Sequence, residues 1–312
     1  MIFLKKAHEK TCDELPLFFP RLIRRQNQKT GAWKIRRVYE PNDAMRAIHE
    51  ELDEYLRSQP RFPKHAPPRP AENVAPHRGN RFFYLTDIEN AFGSVKVDGL
   101  VKAFCLMNSF WIPRKRGLKN FLENYCIAPE GGLYQGAPSS PALFELYAWA
   151  FLERPIHTWY NLKKWCGWND VTYTRYVDDL TFSSKKRIGR GTRRQIRRLL
   201  HNAEFTINNG KNFVIDLANP KTPRITITGI GLEYGGRMFV SRERLRELEK
   251  MLIAGIEGED VNPHKIEGFM SVFWSPYGGK RRSAVLTRTQ RRILSLSRAW
   301  RKLQKKNHTM TP

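Results

Sequence analysis

The chain has 312 residues, with 55 Lys+Arg against 30 Asp+Glu and a formal net charge of +25. That length allows one large domain or two moderate ones. Hydrophobic residues make up 40% and aromatic residues 12%, which excludes a disordered polybasic tail, and no apolar run approaches the roughly 20 residues of a membrane span. Met1 to Lys6 is too short and too soon charged for a secretory signal. Cys12, Cys105, Cys126 and Cys166 form no Cys-x-x-Cys pair. This argues against a zinc ribbon or a disulfide scaffold and suits a reducing cytoplasm. The surplus of positive charge points to a polyanion, above all nucleic acid; a ribosome-associated or merely basic protein is the alternative.

The first 60 residues read as helical in patches, with a strand-like stretch from Trp33 to Tyr39. Asn42 is an expected N-cap for a helix over Asp43 to Ser58, with Met45, Ile48, Leu52, Tyr55 and Leu56 on one side. Pro60, Pro63, Pro67, Pro68 and Pro70 predict an extended loop, either a finger-like insertion or a linker. Arg81 to Asp87 has the pattern of a buried strand with a carboxylate at its tip. A long helical region is expected from near Pro138 to about Trp159, followed by two short strands around Val177-Asp178-Asp179. Strand-like pieces at Phe205 and Phe213 flank an Asn208 to Lys211 turn. Ile225 to Leu232 and Met238 to Val240 read as the two arms of one hairpin, and Ser241 caps a helical C-terminal unit. Strands and helices thus interleave, which makes the fold class α+β.

Two basic segments contain no acid, Lys185 to Arg198 and Lys280 to Lys306. In the second, Ile293, Leu294, Leu296, Ala299, Trp300 and Leu303 recur at helical spacing, so it reads as an amphipathic basic helix; both segments point to backbone phosphates, with a solvated face as the alternative. Three carboxylates carry the candidate chemistry: Asp87 at a strand end, and Asp178 and Asp179 in a turn. Alone, an Asp-Asp turn is usually structural. Mg²⁺, however, takes hard oxygen ligands, and two such ions about 3.5–4 Å apart support in-line phosphoryl displacement.

These residues carry a resemblance. Phe83-Tyr-Leu-Thr-Asp87-Ile-Glu-Asn-Ala-Phe92, Tyr134-Gln135-Gly136-Ala-Pro138-Ser-Ser-Pro141 and Tyr176-Val-Asp178-Asp179 resemble the A, B and C motifs of reverse transcriptases, in that order. Asn209-Gly-Lys211 is similar to the D motif, and Thr228-Gly229-Ile-Gly-Leu232 to the primer-grip region. The resemblance runs from about 35 to 240 and is nearest to bacterial retron-type enzymes. Asn73-Val-Ala-Pro-His77 matches their Asn-Ala-x-x-His signature except at Val74, Ile227-Thr-Gly229 resembles their Val-Thr-Gly, and Val177 stands where they usually have Ala. These departures leave another defence-associated reverse transcriptase open. The length leaves no room for an appended RNase H, maturase or endonuclease domain, which disfavours a mobile element.

The resemblance implies a right-hand polymerase fold: N-terminal region and fingers over 1–80, palm with part of the fingers over 81–240, and a basic helical thumb over 241–312. It implies two Mg²⁺ ions held by Asp87 and Asp178, with Asp179 in support and the Ile88 carbonyl completing one site. Phe92 would lie under the sugar and select dNTPs, although core packing is the alternative. Gln135 would rest against the nucleotide and Gly136 would let the backbone approach it. Lys211 would contact the triphosphate or protonate pyrophosphate, unless it is only a turn residue, and Arg37 is a further triphosphate candidate. Asn73, His77, Gly229, Arg281, Arg282, Arg288, Arg291, Arg292, Arg298, Trp300 and Arg301 are the expected nucleic-acid contacts. His77 could equally fasten its loop to the palm, and Arg175 could be a surface ion-pair partner. Trp33, Trp111, Trp159 and Trp300 are each more often core than stacking platform, and only Trp300, inside the basic helix, is a candidate platform. The implied partners are a cognate structured non-coding RNA that serves as template and primer, dNTPs, the RNA–DNA hybrid product and an effector protein, in a bacterial cytoplasm without a membrane. Priming would start from an internal 2′-OH and give a branched product in antiphage defence. The rivals are a defence enzyme making repetitive or untemplated DNA, a non-enzymatic RNA-binding protein on the same scaffold and, less favoured, an RNA-dependent RNA polymerase.

Overall fold

The computed structural model describes residues 15, 17–26, 31, 33–63, 69–158, 171–274, 276 and 286–309. Arg281, Arg282, Trp159, Cys12 and Cys166 lie outside these residues. The chain forms two compact units, each assembled from three separate stretches. One comprises 1–66, 86–169 and 189–212; the other comprises 67–85, 170–188 and 213–312.

The first unit opens with a two-stranded ribbon, β1 (Phe18–Gln26) and β2 (Trp33–Pro41), paired antiparallel from Phe18↔Pro41 to Gln26↔Trp33; β2 covers the strand expected from Trp33, whereas β1 replaces a helical patch. Leu22, Ile23, Trp33 and Ile35 stand exposed on it, so Trp33 is not a core residue. Helix α1 (Asp43–Ser58) starts where its cap predicts, with the Met45 N–H donating to Asn42 Oδ1 at 3.0 Å. Its buried face is Ala44, Met45, Ile48, His49, Leu52 and Leu56. His49 is fully buried; its Nδ1 lies 2.6 Å from Ser139 Oγ and its Nε2 3.0 Å from the Tyr125 carbonyl. The carbonyl can only accept, so Nε2 carries the proton and Nδ1 accepts from Ser139. This unit also holds α3 (Val97–Met107), α4 (Lys115–Tyr125), α5 (Ser140–Ala148) with a π-turn after it (Trp149–Glu153), and α6 (Arg190–Asn202). Trp111 is buried, as expected.

The second unit begins with the short helix α2 (Pro70–Val74), where the proline-rich loop ends with Pro70 in the first turn. It contains the hairpin of β4 (Thr172–Tyr176) and β5 (Asp179–Ser184), paired from Thr172↔Ser183 to Tyr176↔Asp179. Strand β3 (Phe82–Glu89), which passes from this unit to the first after Leu85, lies in a sheet of order β4-β5-β3-β6, with β6 at Thr206–Ile207 in the first unit, and β7 (Phe213–Asp216) also pairs with β3. The segment 225–240 is a three-stranded meander rather than one hairpin: β8 (Arg224–Ile227), β9 (Ile230–Glu233) and β10 (Met238–Val240). Thr228 and Gly229 both have positive φ, at 47° and 84°, the I′ signature that turns the chain back after two residues.

Helices α7 (Arg242–Ile256), α8 (Pro263–Trp274) and α9 (Arg288–Thr309) complete this unit. Ser241 caps α7 as expected, accepting from the Arg244 N–H at 3.3 Å. Leu248, Leu252, Ile266, Met270, Phe273, Ile293 and Trp300 form one apolar core. Trp300 is therefore a core residue and not a stacking platform: only 3% of it is exposed, because it lies on the same side of α9 as Ile293. Among the described residues, no helix is long and apolar enough to cross a membrane.

Candidate active site

Asp87 is the sixth residue of β3 and is almost fully buried, at 5% exposure. Both of its carboxylate oxygens are engaged from the segment that follows β6. Asn208 Nδ2 donates to Oδ2 at 3.1 Å, and Lys211 Nζ lies 2.9 Å from Oδ1. The Asn208 N–H donates to the Asp87 carbonyl at 2.9 Å, and Asn208 Oδ1 accepts from the Gly210 N–H at 3.1 Å. Asn208 thus ties a one-turn 3₁₀ segment (Asn209–Lys211) to β3 and aims Lys211 at the carboxylate. Lys211 is accordingly more than a turn residue. Asn208 was not among the sequence candidates; its signal is an Asx-turn two residues before Gly210.

The β4–β5 turn is Val177–Asp178, so Asp178 lies in the turn and Asp179, expected there as well, is instead the first residue of β5, paired with Tyr176; both are half-buried. Val177 has φ 57° while Asp178 does not, which is the II′ sign pattern, normally a glycine's. A β-branched residue held there costs on the order of 1–3 kcal/mol. The Arg175 guanidinium offsets part of this by donating from Nη1 to the Val177 carbonyl at 3.0 Å. Arg175 is 2% exposed and is the largest fully buried side chain, so it is not a surface ion-pair partner.

Asp87, Asp178 and Asp179 each offer a carboxylate oxygen, and these atoms all lie within 4.8 Å of one another. Three carboxylates so close repel one another unless a cation or a proton offsets the charge. The donors are all hard oxygens, which fits Mg²⁺ and does not fit a thiolate or imidazole metal. The Lys211 ammonium already supplies one positive charge at Asp87.

The candidate nucleotide residues sit on a wall built by main-chain bonds. The Leu133 N–H donates to the Phe92 carbonyl at 2.8 Å, and the Tyr39 N–H donates to the Gln135 carbonyl at 2.7 Å. Phe92 is half-buried with its ring 5.3 Å from that of Phe144, so it packs and presents a face at once. Gly136 has φ 110°, and a Cβ there would fall 2.6 Å from Val38 and 2.8 Å from the Tyr39 carbonyl. The close approach that requires this glycine is therefore to β2. Arg37, two residues before Tyr39, lines a cleft of about 910 Å³ with Tyr39, Glu130 and Tyr134.

The nucleic-acid candidates divide. Asn73 and His77 are both fully buried, so direct contact with a nucleic acid is corrected to an internal role. Gly229 holds its turn through positive φ, and an added Cβ would meet the Arg244 guanidinium. Arg288, Arg291, Arg292, Arg298 and Arg301 are exposed on α9, but Arg292 pairs with Glu249 at 2.9 Å and Arg301 with Glu267 at 3.0 Å. Scattered arginines that sequence reasoning missed, Arg78, Arg224, Arg237, Arg242 and Arg246, line one cleft of about 990 Å³. No local pattern announces them, because they come from two loops, one strand and one helix.

Burial pushes His49 down to about 4 and His77 down to about 3. The unfolded chain takes up protons near pH 6.5 that the folded one refuses. Their contribution is therefore complete above about pH 6.5 and is lost as pH falls towards those values. For His49 the loss is on the order of 3 kcal/mol. Melting temperatures should drop steeply from pH 7 to 4 in the native chain and less in His49→Gln.

An antiparallel sheet with three clustered carboxylates at strand ends, and a lysine against one of them, is the arrangement of a polymerase palm. Residues 28–232 match the model of the family described as "Reverse transcriptase (RNA-dependent DNA polymerase)", and the chain belongs to that family. Among curated proteins it is similar to the retron Ec86 reverse transcriptase of Escherichia coli, at 26% identity over 80% of this chain and 74% of that one. It is similar also to the retron Ec83 reverse transcriptase of Escherichia coli, at 26% identity over 61% of this chain but only 60% of that one. The resemblance to bacterial retron-type enzymes is thus carried by curated relatives as well as by motifs. Among solved structures, apo telomerase from Candida tropicalis aligns with 91% of this chain and 61% of its own, at TM-score 0.50 and 10% identity, a likeness of fold alone.

Proposed function

We propose that the chain is an RNA-directed DNA polymerase that extends a primer hydroxyl with dNTPs on a cognate structured non-coding RNA. The observation that supports this best is the convergence of Asp87, Asp178 and Asp179. Fingers over 1–80, palm with part of the fingers over 81–240 and thumb over 241–312 complete the reading. Asp87, Asp178, Asp179 and the Ile88 carbonyl would hold two Mg²⁺ ions, which when bound neutralise phosphate charge and lower the pKa of the attacking hydroxyl. The chain's own residues do the rest. Asp87 on β3, Asp178 in the β4–β5 turn and Asp179 at the start of β5 orient the reacting groups. Lys211 offers an ammonium to the triphosphate once Asp87 is otherwise engaged, with a proton available for the leaving pyrophosphate. Gln135 and Arg37 bear on the nucleotide, and Phe92 on its sugar.

Phe92→Ala should relax discrimination against ribonucleotides by about 10- to 10²-fold, the range for reshaping a binding pocket. Competing dNTP and rNTP incorporation reads this out, and unchanged selectivity would reduce Phe92 to a packing partner of Phe144.

The retron reading adds that priming starts from an internal 2′-OH and yields branched RNA–DNA, in antiphage defence with an effector protein. Supplying labelled dNTPs to the chain with its co-purifying nucleic acid tests it. A unique branched product supports the reading. A homopolymer or short repeat favours the other defence enzyme. No incorporation at all would leave an RNA-binding protein on a polymerase scaffold.

A further inference from the structure

Below the turn at Asp178 and the start of β5 at Asp179, a chain of polar side chains runs across the β4–β5 hairpin. His77 Nδ1 lies 2.6 Å from Ser183 Oγ, and His77 Nε2 lies 2.7 Å from Thr174 Oγ1. Asn80 Nδ2 donates to the same Ser183 Oγ at 2.7 Å and to Thr172 Oγ1 at 3.2 Å. His77 and Ser183 are fully buried and Asn80 nearly so.

The proton order in this chain is determined. Thr174 donates its hydroxyl hydrogen to the Asn73 carbonyl at 3.1 Å, which can only accept. Thr174 Oγ1 must then accept from His77, so His77 carries its proton on Nε2. Nδ1 is left as an acceptor and takes the hydroxyl hydrogen of Ser183, which in turn accepts from Asn80. Each link fixes the next, and the order holds only for a neutral imidazole. The burial that lowers the His77 pKa to about 3 agrees with that state.

The placement explains what the chain of bonds is for. Thr172 pairs with Ser183 and Thr174 with Thr181, while Tyr176 pairs with Asp179. At period two, Thr172, Thr174, Thr181, Ser183 and Asp179 therefore share one face of the hairpin. His77 touches one residue of each strand on that face, and Asn80 does the same. The turn itself is strained at Val177 and needs its flanking strands held in register. We propose that His77, assisted by Asn80, is a positioning residue for polymerisation: it locks β4 to β5 so that Asp178 and Asp179 are presented at a fixed place. Asn73 takes part through its backbone carbonyl, and neither atom of its buried amide has a hydrogen-bond partner among the described residues. The inference rests on the polymerase reading above.

The test compares the full chain with its co-purifying RNA as wild type, His77→Ala, His77→Gln and Ser183→Ala. It follows dNTP incorporation, RNA affinity and amide hydrogen exchange across 172–184. His77→Ala should lower kcat by about 10²-fold, the scale of a small misplacement of catalytic groups. KM for dNTP and RNA affinity should stay unchanged, and exchange should speed up in both strands. His77→Gln, which keeps an N–H near the Nε2 position, should recover part of the rate. Ser183→Ala should shift the same quantities less and covers the case in which His77→Ala does not fold. Unchanged kcat and exchange in the three variants would overturn the proposal. So would a fall in RNA affinity matching the loss of rate, which would make His77 an RNA contact. If the wild type incorporates no dNTP, the polymerase reading fails, while exchange still decides whether His77 locks the hairpin.

Discussion

Replacing Asp178 and Asp179 together by Asn should reduce dNTP incorporation at least about 10³-fold without lowering the melting temperature. Each substitution keeps the shape of the side chain and removes one charge. The three carboxylates lie within 4.8 Å of one another, so in the cation-free chain they repel, and deleting two charges relieves that repulsion. Catalysis, by contrast, would lose two of the carboxylates proposed to hold metal ions, and the stabilisation of developing charge that such ions supply is worth several kcal/mol at 1.36 kcal/mol per tenfold in rate. Stability and activity should therefore move in opposite directions, as at other sites that keep like charges together for function. Adding Mg²⁺ should raise the melting temperature of the wild type by mass action and do so much less in the double variant. Persistent incorporation by the variant would overturn the metal-site assignment. Asp87→Asn should behave differently: it also weakens the contact with Lys211, so its loss of rate should come with some loss of stability.

RNA affinity should fall by about 10³ or more between 50 and 200 mM salt, the loss expected when roughly six or more phosphates are neutralised. The exposed arginines of α9 provide the means, but not equally. Arg292 and Arg301 already face Glu249 and Glu267, so part of their charge is spent inside the molecule. Arg288, Arg291 and Arg298 lie on the side of α9 away from the buried Ile293 and Trp300. Replacing these three by Ala should flatten the slope of log affinity against log salt by about 3, and Arg292→Ala by distinctly less. The cleft lined by Arg78, Arg224, Arg237, Arg242 and Arg246 should contribute a second, comparable share. A salt-independent affinity would remove the basic surface from the account. Filter binding across a salt series is sufficient to decide.

The elements legible beforehand are those written in local chemistry. Asn42 and Ser241 cap their helices within a few residues of themselves, and the spacing of Met45, Ile48 and Leu52 marks a buried stripe. The β4–β5 hairpin was equally readable from the apolar runs around it, although Asp179 opens β5 rather than lying in the turn. Strand β1 was not, because a two-stranded ribbon exposed on both faces leaves no alternation of apolar and polar residues. The Thr228–Gly229 turn was hidden inside an apolar run that reads as one continuous strand. Trp33 was expected in the core and is exposed, while Trp300 was open between core and platform, since an aromatic residue in a basic segment looks the same whether its helix face is buried or free.

By itself, the sequence determined which groups are available: three carboxylates, a lysine in a turn, a bulky ring after a strand and a surplus of arginine. It could do so because residue type and short-range spacing are local properties. Only the tertiary structure decided which of them meet. Asn208 reaches Asp87 across 121 positions of sequence, and His77 reaches Ser183 across 106. Contacts of that range depend on strand pairing and on what is removed from water, and neither is encoded within any one segment. For that reason the carboxylate cluster was foreseeable only through resemblance, while the burial of His77 and Arg175 and the capture of Trp300 by the core emerged only when the chain was folded.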